Sequence, residues 1–189
     1  MKSFSFVLAT FIFSLAMFSC NQFDVEVETD FEFEVGTEKG QTATKARVIR
    51  VIDGDTVEVE FRSGEKDKVR LLAVDTPETR QANKLGEYGD ITDIACLKDW
   101  GDRASSFAQK KLYGERVHLV SEDSQLRDVY DRLLAYVQLE DGEDFNQLLV
   151  EGGFARVYEE GDSDRELEYV AHQIQAINER IGLWGCLAE

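Results

Sequence analysis

Val69-Arg70-Leu71-Leu72-Ala73-Val74-Asp75-Thr76-Pro77-Glu78-Thr79 decides the architecture of this chain. Its first six residues are apolar except for one arginine, a run too short for a helix and suited to a buried strand. Proline has no N–H for a sheet ladder, so Pro77, the only proline in the sequence, stops the strand where Asp75 and Glu78 project. With the strand read as Lys68 to Val74, Arg70 falls in register with Leu72 and Val74. One face then carries a guanidinium among hydrocarbons. A buried charge without a partner is costly, so an anion is expected beside Arg70.

Upstream, Val48, Val51, Val57, Val59 and Phe61 alternate around Asp53-Gly54-Asp55, which reads as two strands joined or bulged at a Gly-containing turn. Downstream, residues from about Thr92 to Leu112 place Ile94, Leu97, Ala104, Phe107, Ala108 and Leu112 on one helical side, with Gly114 as cap. Val117 to Val120 and Leu133 to Leu139 read as further strands. Phe145 to Val150 reads as a short helix ended by Gly152-Gly153. Arg165 to Ile181 reads as a longer helix, with Leu167, Val170, Ile174 and Ile177 at helical spacing and Gly182 as its cap. Five strands with helices after the third and fifth predict an α+β domain, a five-stranded OB-type β-barrel with about three packed helices.

The 189 residues suit one domain plus short extras. Lys2, the apolar run Phe4 to Phe18 and Ser19-Cys20 read as a signal peptide over residues 1–22, too short in its apolar part for a bilayer span. Two readings of Cys20 stand: the lipid-anchor acceptor of a bacterial lipoprotein, or a residue lost in ordinary secretion. An acidic spacer is expected over 23–44, and the folded domain over 45–189. A lipidated Cys20 leaves Cys96 and Cys186 as a pair, stable in the oxidising compartment an exported chain meets. The alternative is two separate buried thiols.

The chain carries a formal charge of −17. From Lys45 onward 31 Asp and Glu face 19 Lys and Arg, leaving −12. That disfavours passive nucleic-acid binding, which draws its affinity from basic surfaces. It does not oppose chemistry at a site whose near field is set by a metal and arginines.

Asp55, Arg70, Asp75, Glu78 and Arg132 border these strand-like runs, the last in Asp128-Val129-Tyr130-Asp131-Arg132. Each short segment alone is an ordinary turn. Together, three carboxylates and two guanidiniums are what metal-assisted cleavage of a phosphodiester requires: acids to hold a hard cation and activate water, arginines to absorb charge on the phosphate.

The segments Val51–Val57, Val69–Thr79 and Asp128–Tyr136 resemble those of the staphylococcal (micrococcal) nuclease family, in the same order and at similar separations, from about Lys45 to Trp184. The resemblance implies a Ca²⁺-dependent endonuclease on an OB barrel with three helices, acting on DNA and RNA to leave 3′-phosphates. It implies Asp55 and Asp75 as carboxylate ligands of Ca²⁺, with the Thr76 backbone carbonyl as a third oxygen. Glu78 matches the acid that positions or deprotonates the attacking water. Arg70 and Arg132 match the pair that grips the scissile phosphate, with Arg132 nearer the leaving oxygen. Tyr158 either lies beside the nucleotide or is a core tyrosine. The loop from Thr79 to Trp100, with Cys96, is longer than in the staphylococcal protein and borders the expected cleft. His118 and His172 read as structural.

The expected protein is thus an exported monomer, lipid-anchored to a bacterial membrane or cell surface or else periplasmic or secreted, with DNA and/or RNA as substrate. Two other classes compete: a non-catalytic OB-fold nucleic-acid-binding module, and a surface interaction lipoprotein.

Overall fold

The computed structural model describes residues 41–122, 127–160 and 163–187. The expected signal peptide, Cys20 and residues 23–40 of the spacer lie outside them. Among the described residues no helix is long and apolar enough to cross a membrane.

Alternating valines build the first hairpin. β1 (Gln41–Val51) pairs antiparallel with β2 (Thr56–Phe61), Val48 opposite Val59 and Val51 opposite Val57, with a register shift between Val48 and Arg50. β1 therefore starts within the stretch assigned to the spacer, at Gln41. β2 pairs antiparallel with β3 (Lys66–Leu71). β5 (Arg116–Glu122) and β6 (Leu133–Leu139) pair antiparallel with each other, β5 returns to β1, and β6 runs parallel to β3. The sheet closes in the order β1-β2-β3-β6-β5. Closure removes exposed edges, which lets a small sheet stand without a partner. Val48, Val57, Val59, Val69, Leu71, Val117, Leu119, Ala135 and Val137 fill the interior and are all at most 2% exposed. The α+β barrel with three helices is the fold read from the sequence.

The third strand is shorter than expected. β3 ends at Leu71, the chain turns at Leu72-Ala73 with Ala73 at φ 59°, and Val74–Asp75 form a separate short strand, β4, paired with β7 (Arg156–Val157). The turn resets the alternation. Arg70 does not share a face with Leu72 and Val74; it alternates with buried Val69 and Leu71 and faces away from the barrel interior.

Three helices pack around the barrel: α1 (Ile94–Leu112), α2 (Phe145–Glu151) and α3 (Glu166–Asn178). Asp93 caps α1 by accepting from the Cys96 N–H, and Gly114 takes the left-handed conformation just beyond its end. Leu97, Gly101, Ala104, Ala108 and Leu112 form its buried side. α3 differs from its reading: Leu167 and Ile174 are exposed, and Tyr169 and Ala176 are the buried residues. Gly182 does not cap α3, which ends at Asn178; it opens a 3-10 turn over Gly182–Cys186.

A second, smaller core lies outside the barrel. Tyr88, Ile91 and Leu97 pack with Ala176, Leu183 and Trp184. At its edge Cys96 and Cys186 are bonded, with Cα atoms 5.9 Å apart. This cluster fixes the long loop between β4 and α1.

Candidate active site

The β1–β2 turn and β4 each deliver a carboxylate to Arg70. The guanidinium Nη1 stands 3.3 Å from Asp55 Oδ1, and Nη2 donates to Asp75 Oδ1 at 2.9 Å. Nη1 also donates to the carbonyls of Leu71 and Val74, which seats the fork across the β3–β4 turn. The anion expected beside Arg70 is thus present twice. Burial works against the Arg70 charge, and Asp55, Asp75 and Asp53 more than restore it, leaving its pKa raised.

Asp55 is 6% exposed and fully engaged. Its Oδ2 accepts from the Thr76 N–H (2.7 Å) and hydroxyl (2.9 Å), and its Oδ1 from the Thr56 hydroxyl (3.1 Å). These bonds tie the β1–β2 turn to the segment after β4. Gly54 permits the approach, since a Cβ there would lie 2.8 Å from both Ala104 Cβ and Thr76 Cγ2. Asp75 is held on its other side by Arg156 Nε at 3.1 Å and by the Tyr88 hydroxyl at 3.3 Å, both donating to Oδ2. Burial outweighs the pull of Arg70 and leaves Asp75 above the ordinary carboxylate range.

Arg132 arrives from the β5–β6 connection. Asp128 builds that turn: its Oδ1 accepts from the N–H groups of Tyr130 and Arg132, both at 2.9 Å, while Asp131 takes φ 61°. Asp128 Oδ2 then accepts from Arg132 Nε and Nη2, both at 2.7 Å. Arg132 Nη1 reaches the Thr56 hydroxyl at 3.5 Å, one residue from Asp55. Arg70 and Arg132 both line a cavity of about 340 Å³ whose walls include Leu72, Tyr130, Leu134 and Tyr158. Tyr158 is 37% exposed on this wall and not part of the core.

Glu78 lies past Pro77, exposed, and its carboxylate makes no hydrogen bond or ion pair among the described residues. Asp55, Arg70, Asp75, Thr76 and Arg132 therefore share one bonded network, with Glu78 two residues beyond it. His118 and His172 stand apart; His172 pairs with Glu151 at 3.1 Å.

Three residues of the site escaped the sequence reading. Arg156 sits in an unremarkable Ala-Arg-Val segment, and only the β4–β7 pairing brings it to Asp75. Tyr88 lies in a polar loop whose burial depends on the second core. Asp53 reads as a turn residue, yet it is partly buried beside Asp55.

Among the described residues no group of three or more His, Cys, Asp and Glu is arranged to hold a metal ion. The donor chemistry nevertheless suits a hard cation: all candidate ligands are oxygens, from Asp55, Asp75 and the Thr76 carbonyl. The Asp53 carboxyl is pushed up to about 6, first by burial and then by the negative charge of Asp55. Even with Arg70 present, this cluster is short of positive charge.

The Staphylococcal nuclease homologue family model matches residues 68–186. The chain is 40% identical over 149 residues to an uncharacterized protein of Methanocaldococcus jannaschii, covering 73% of this chain and 70% of that one. It is 38% identical over 139 residues to a thermonuclease of Staphylococcus intermedius, covering 72% and 74%. It is 38% identical over 108 residues to endonuclease YncB of Bacillus subtilis, covering 57% of this chain and 45% of that one. With the barrel, the Asp55–Arg70–Asp75 network and these likenesses in hand, the chain belongs to the staphylococcal nuclease family.

Proposed function

We propose that the domain is a Ca²⁺-dependent endonuclease that hydrolyses phosphodiester bonds of DNA and/or RNA to give 3′-phosphate ends. One observation carries the reading: a single guanidinium spans Asp55 and Asp75 at the rim of a cleft that Arg132 also lines. Two acids and two forked cations meet where a sugar–phosphate strand can lie.

Asp55, Asp75 and the Thr76 carbonyl would hold the ion, which would supply positive charge beside the water and the phosphate. Glu78, whose carboxylate has no partner among the described residues, takes the proton from the attacking water. Arg70 and Arg132 donate to phosphate oxygens on which charge builds as the new P–O bond forms. The bond from phosphorus to the 5′-oxygen breaks, and that oxygen takes a proton from solvent water and leaves as the hydroxyl of the next nucleotide. Tyr130 and Tyr158 offer ring faces to the adjoining bases. Residues 1–22 add a proposed export signal, with Cys20 as the lipid anchor.

The test is a calcium-titrated digest of single- and double-stranded DNA and RNA with end-group analysis. Calcium-dependent cutting that leaves 3′-phosphates is expected. Cutting that ignores excess chelator overturns the metal assignment, and tight binding without cleavage in millimolar calcium overturns the enzyme.

A further inference from the structure

Asn83 is 6% exposed on a loop whose neighbours Gln81, Ala82, Lys84 and Leu85 are largely exposed. A buried amide is costly unless both of its ends are satisfied. Asn83 satisfies them on one residue. Its Oδ1 accepts from the Glu78 N–H at 2.7 Å, and its Nδ2 donates to the Glu78 carbonyl at 3.2 Å. Both polar groups of a single peptide residue are therefore closed by one side chain five positions away.

The same stretch is pressed from α1. Gly101 lies so close that a Cβ would overlap the Pro77 carbonyl oxygen and stand 3.2 Å from the Glu78 carbonyl oxygen. The Asn83 loop in turn is anchored a few residues on, where Tyr88 and Ile91 enter the second core, each 1% exposed. The Glu78 main chain is thus held by Asn83 and by α1, while its carboxylate stays unpartnered among the described residues. A general base needs this combination: a fixed pivot, and acid oxygens not already occupied by another donor.

We infer that Asn83 is a positioning residue that fixes the Glu78 backbone so that its carboxylate stands ready to take a proton from the attacking water. The inference rests on the nuclease reading, and it assigns Asn83 no contact with substrate or metal. A side chain that merely closed a turn would affect stability but not the turnover of folded protein.

The experiment compares wild type, Asn83→Ala, Asn83→Asp and a Glu78→Gln reference, all assayed well below their melting temperatures on one oligonucleotide. Asn83→Ala should lower kcat by about 10–100-fold, the range for removing a residue that orients a catalytic group. KM and the calorimetric affinity for calcium should stay within about twofold. Hydrogen exchange of the Glu78 amide should quicken, a readout independent of turnover. Asn83→Asp keeps the acceptor and loses the donor, so its kcat should fall between those of wild type and Asn83→Ala. Should Asn83→Ala fail to fold, Asn83→Ser supplies the same comparison. An active wild type beside an Asn83→Ala variant of equal kcat overturns this inference alone. A wild type that cuts no nucleic acid overturns the nuclease reading itself, and the positioning role of Asn83 with it.

Discussion

The Tyr88 hydroxyl donates to Asp75 Oδ2 across 3.3 Å, on the side of that carboxylate opposite to the oxygen that Arg70 holds. Tyr88 belongs to the second core, together with Trp184 and the 3-10 turn that carries Cys186. The C-terminal segment is therefore joined to a candidate metal ligand through one buried phenol, and the bond between Cys96 and Cys186 closes the connection.

Breaking that bond should be costly. It spans 90 residues of sequence, and by the chain-entropy model a loop of that length contributes up to about 4–5 kcal/mol. The Cys96→Ser/Cys186→Ser variant should unfold at a clearly lower urea concentration than the oxidised wild type, and the reduced wild type should match the variant. Its calcium affinity should also fall, because Tyr88 loses the packing that aims it at Asp75. Equal urea midpoints with and without reductant would show that the cysteines do not staple the fold.

Arg70 and Arg132 should separate in stability while agreeing in chemistry. Arg70 is 14% exposed and is the cation that Asp55 and Asp75 share, so Arg70→Ala leaves a partly buried excess of negative charge and should cost about 3–5 kcal/mol. Millimolar calcium should restore part of this if the same oxygens take the ion. Arg132 is 26% exposed and answers mainly to Asp128, so Arg132→Ala should cost about 1 kcal/mol. Both variants should lose kcat by orders of magnitude. Urea unfolding with and without calcium, beside a digest, checks all of these; wild-type cutting by either variant would remove that arginine from the mechanism.

The barrel and most of the site were legible because they are written locally. Val57, Val59, Val69 and Leu71 declare their strands by alternation, and Asp55, Asp75 and Glu78 sit at strand ends where period and proline say the chain must turn. Arg70 was rightly paired with anions, but its face was misread. A left-handed Ala73 is not announced by alanine, and without it the alternation seems to continue through Leu72. Leu167 and Ile174 failed in the opposite way: helical spacing predicts an apolar stripe, while burial depends on which side meets α2 and the second core, and there Tyr169 and Ala176 do. Arg156 and Tyr88 needed tertiary structure outright, since the pairing of β4 with β7 and the second core bring them to Asp75.

Gly101 offers a test of how tightly α1 backs the site. Alanine favours a helix interior over glycine by about 1 kcal/mol, so a mid-helix Gly101→Ala would ordinarily stabilise. Here the added methyl meets the Pro77 carbonyl, which as backbone cannot swing aside. Overpacking of this kind costs about 1–3 kcal/mol, and the shift falls on the segment that carries Glu78. Gly101→Ala should therefore melt lower than wild type and lose kcat, while Ser106→Ala, on the exposed side of the same helix, should change neither by much. A Gly101→Ala protein that is more stable and fully active would mean the contact is loose.

The Asp128–Arg132 pair should show in the pH dependence of stability. Burial alone would raise the Asp128 carboxyl. The backbone N–H and guanidinium bonds from Arg132, with help from the Tyr130 N–H, outweigh it and hold the group below the usual aspartate value. A carboxyl depressed in the folded state binds its proton more readily when unfolded, so its stabilising contribution is complete above the unfolded pKa of about 3.9. It is lost as the pH falls through the folded value. Asp128→Asn keeps an oxygen for the two backbone donors and removes the charge. The variant should be less stable than wild type at neutral pH by an amount that shrinks below about pH 4 and vanishes once Asp128 is protonated in both states. Urea unfolding of the two proteins at several pH values reads this directly. A stability gap that stays constant from neutral to strongly acidic pH would mean that charge on Asp128 does not build the turn presenting Arg132.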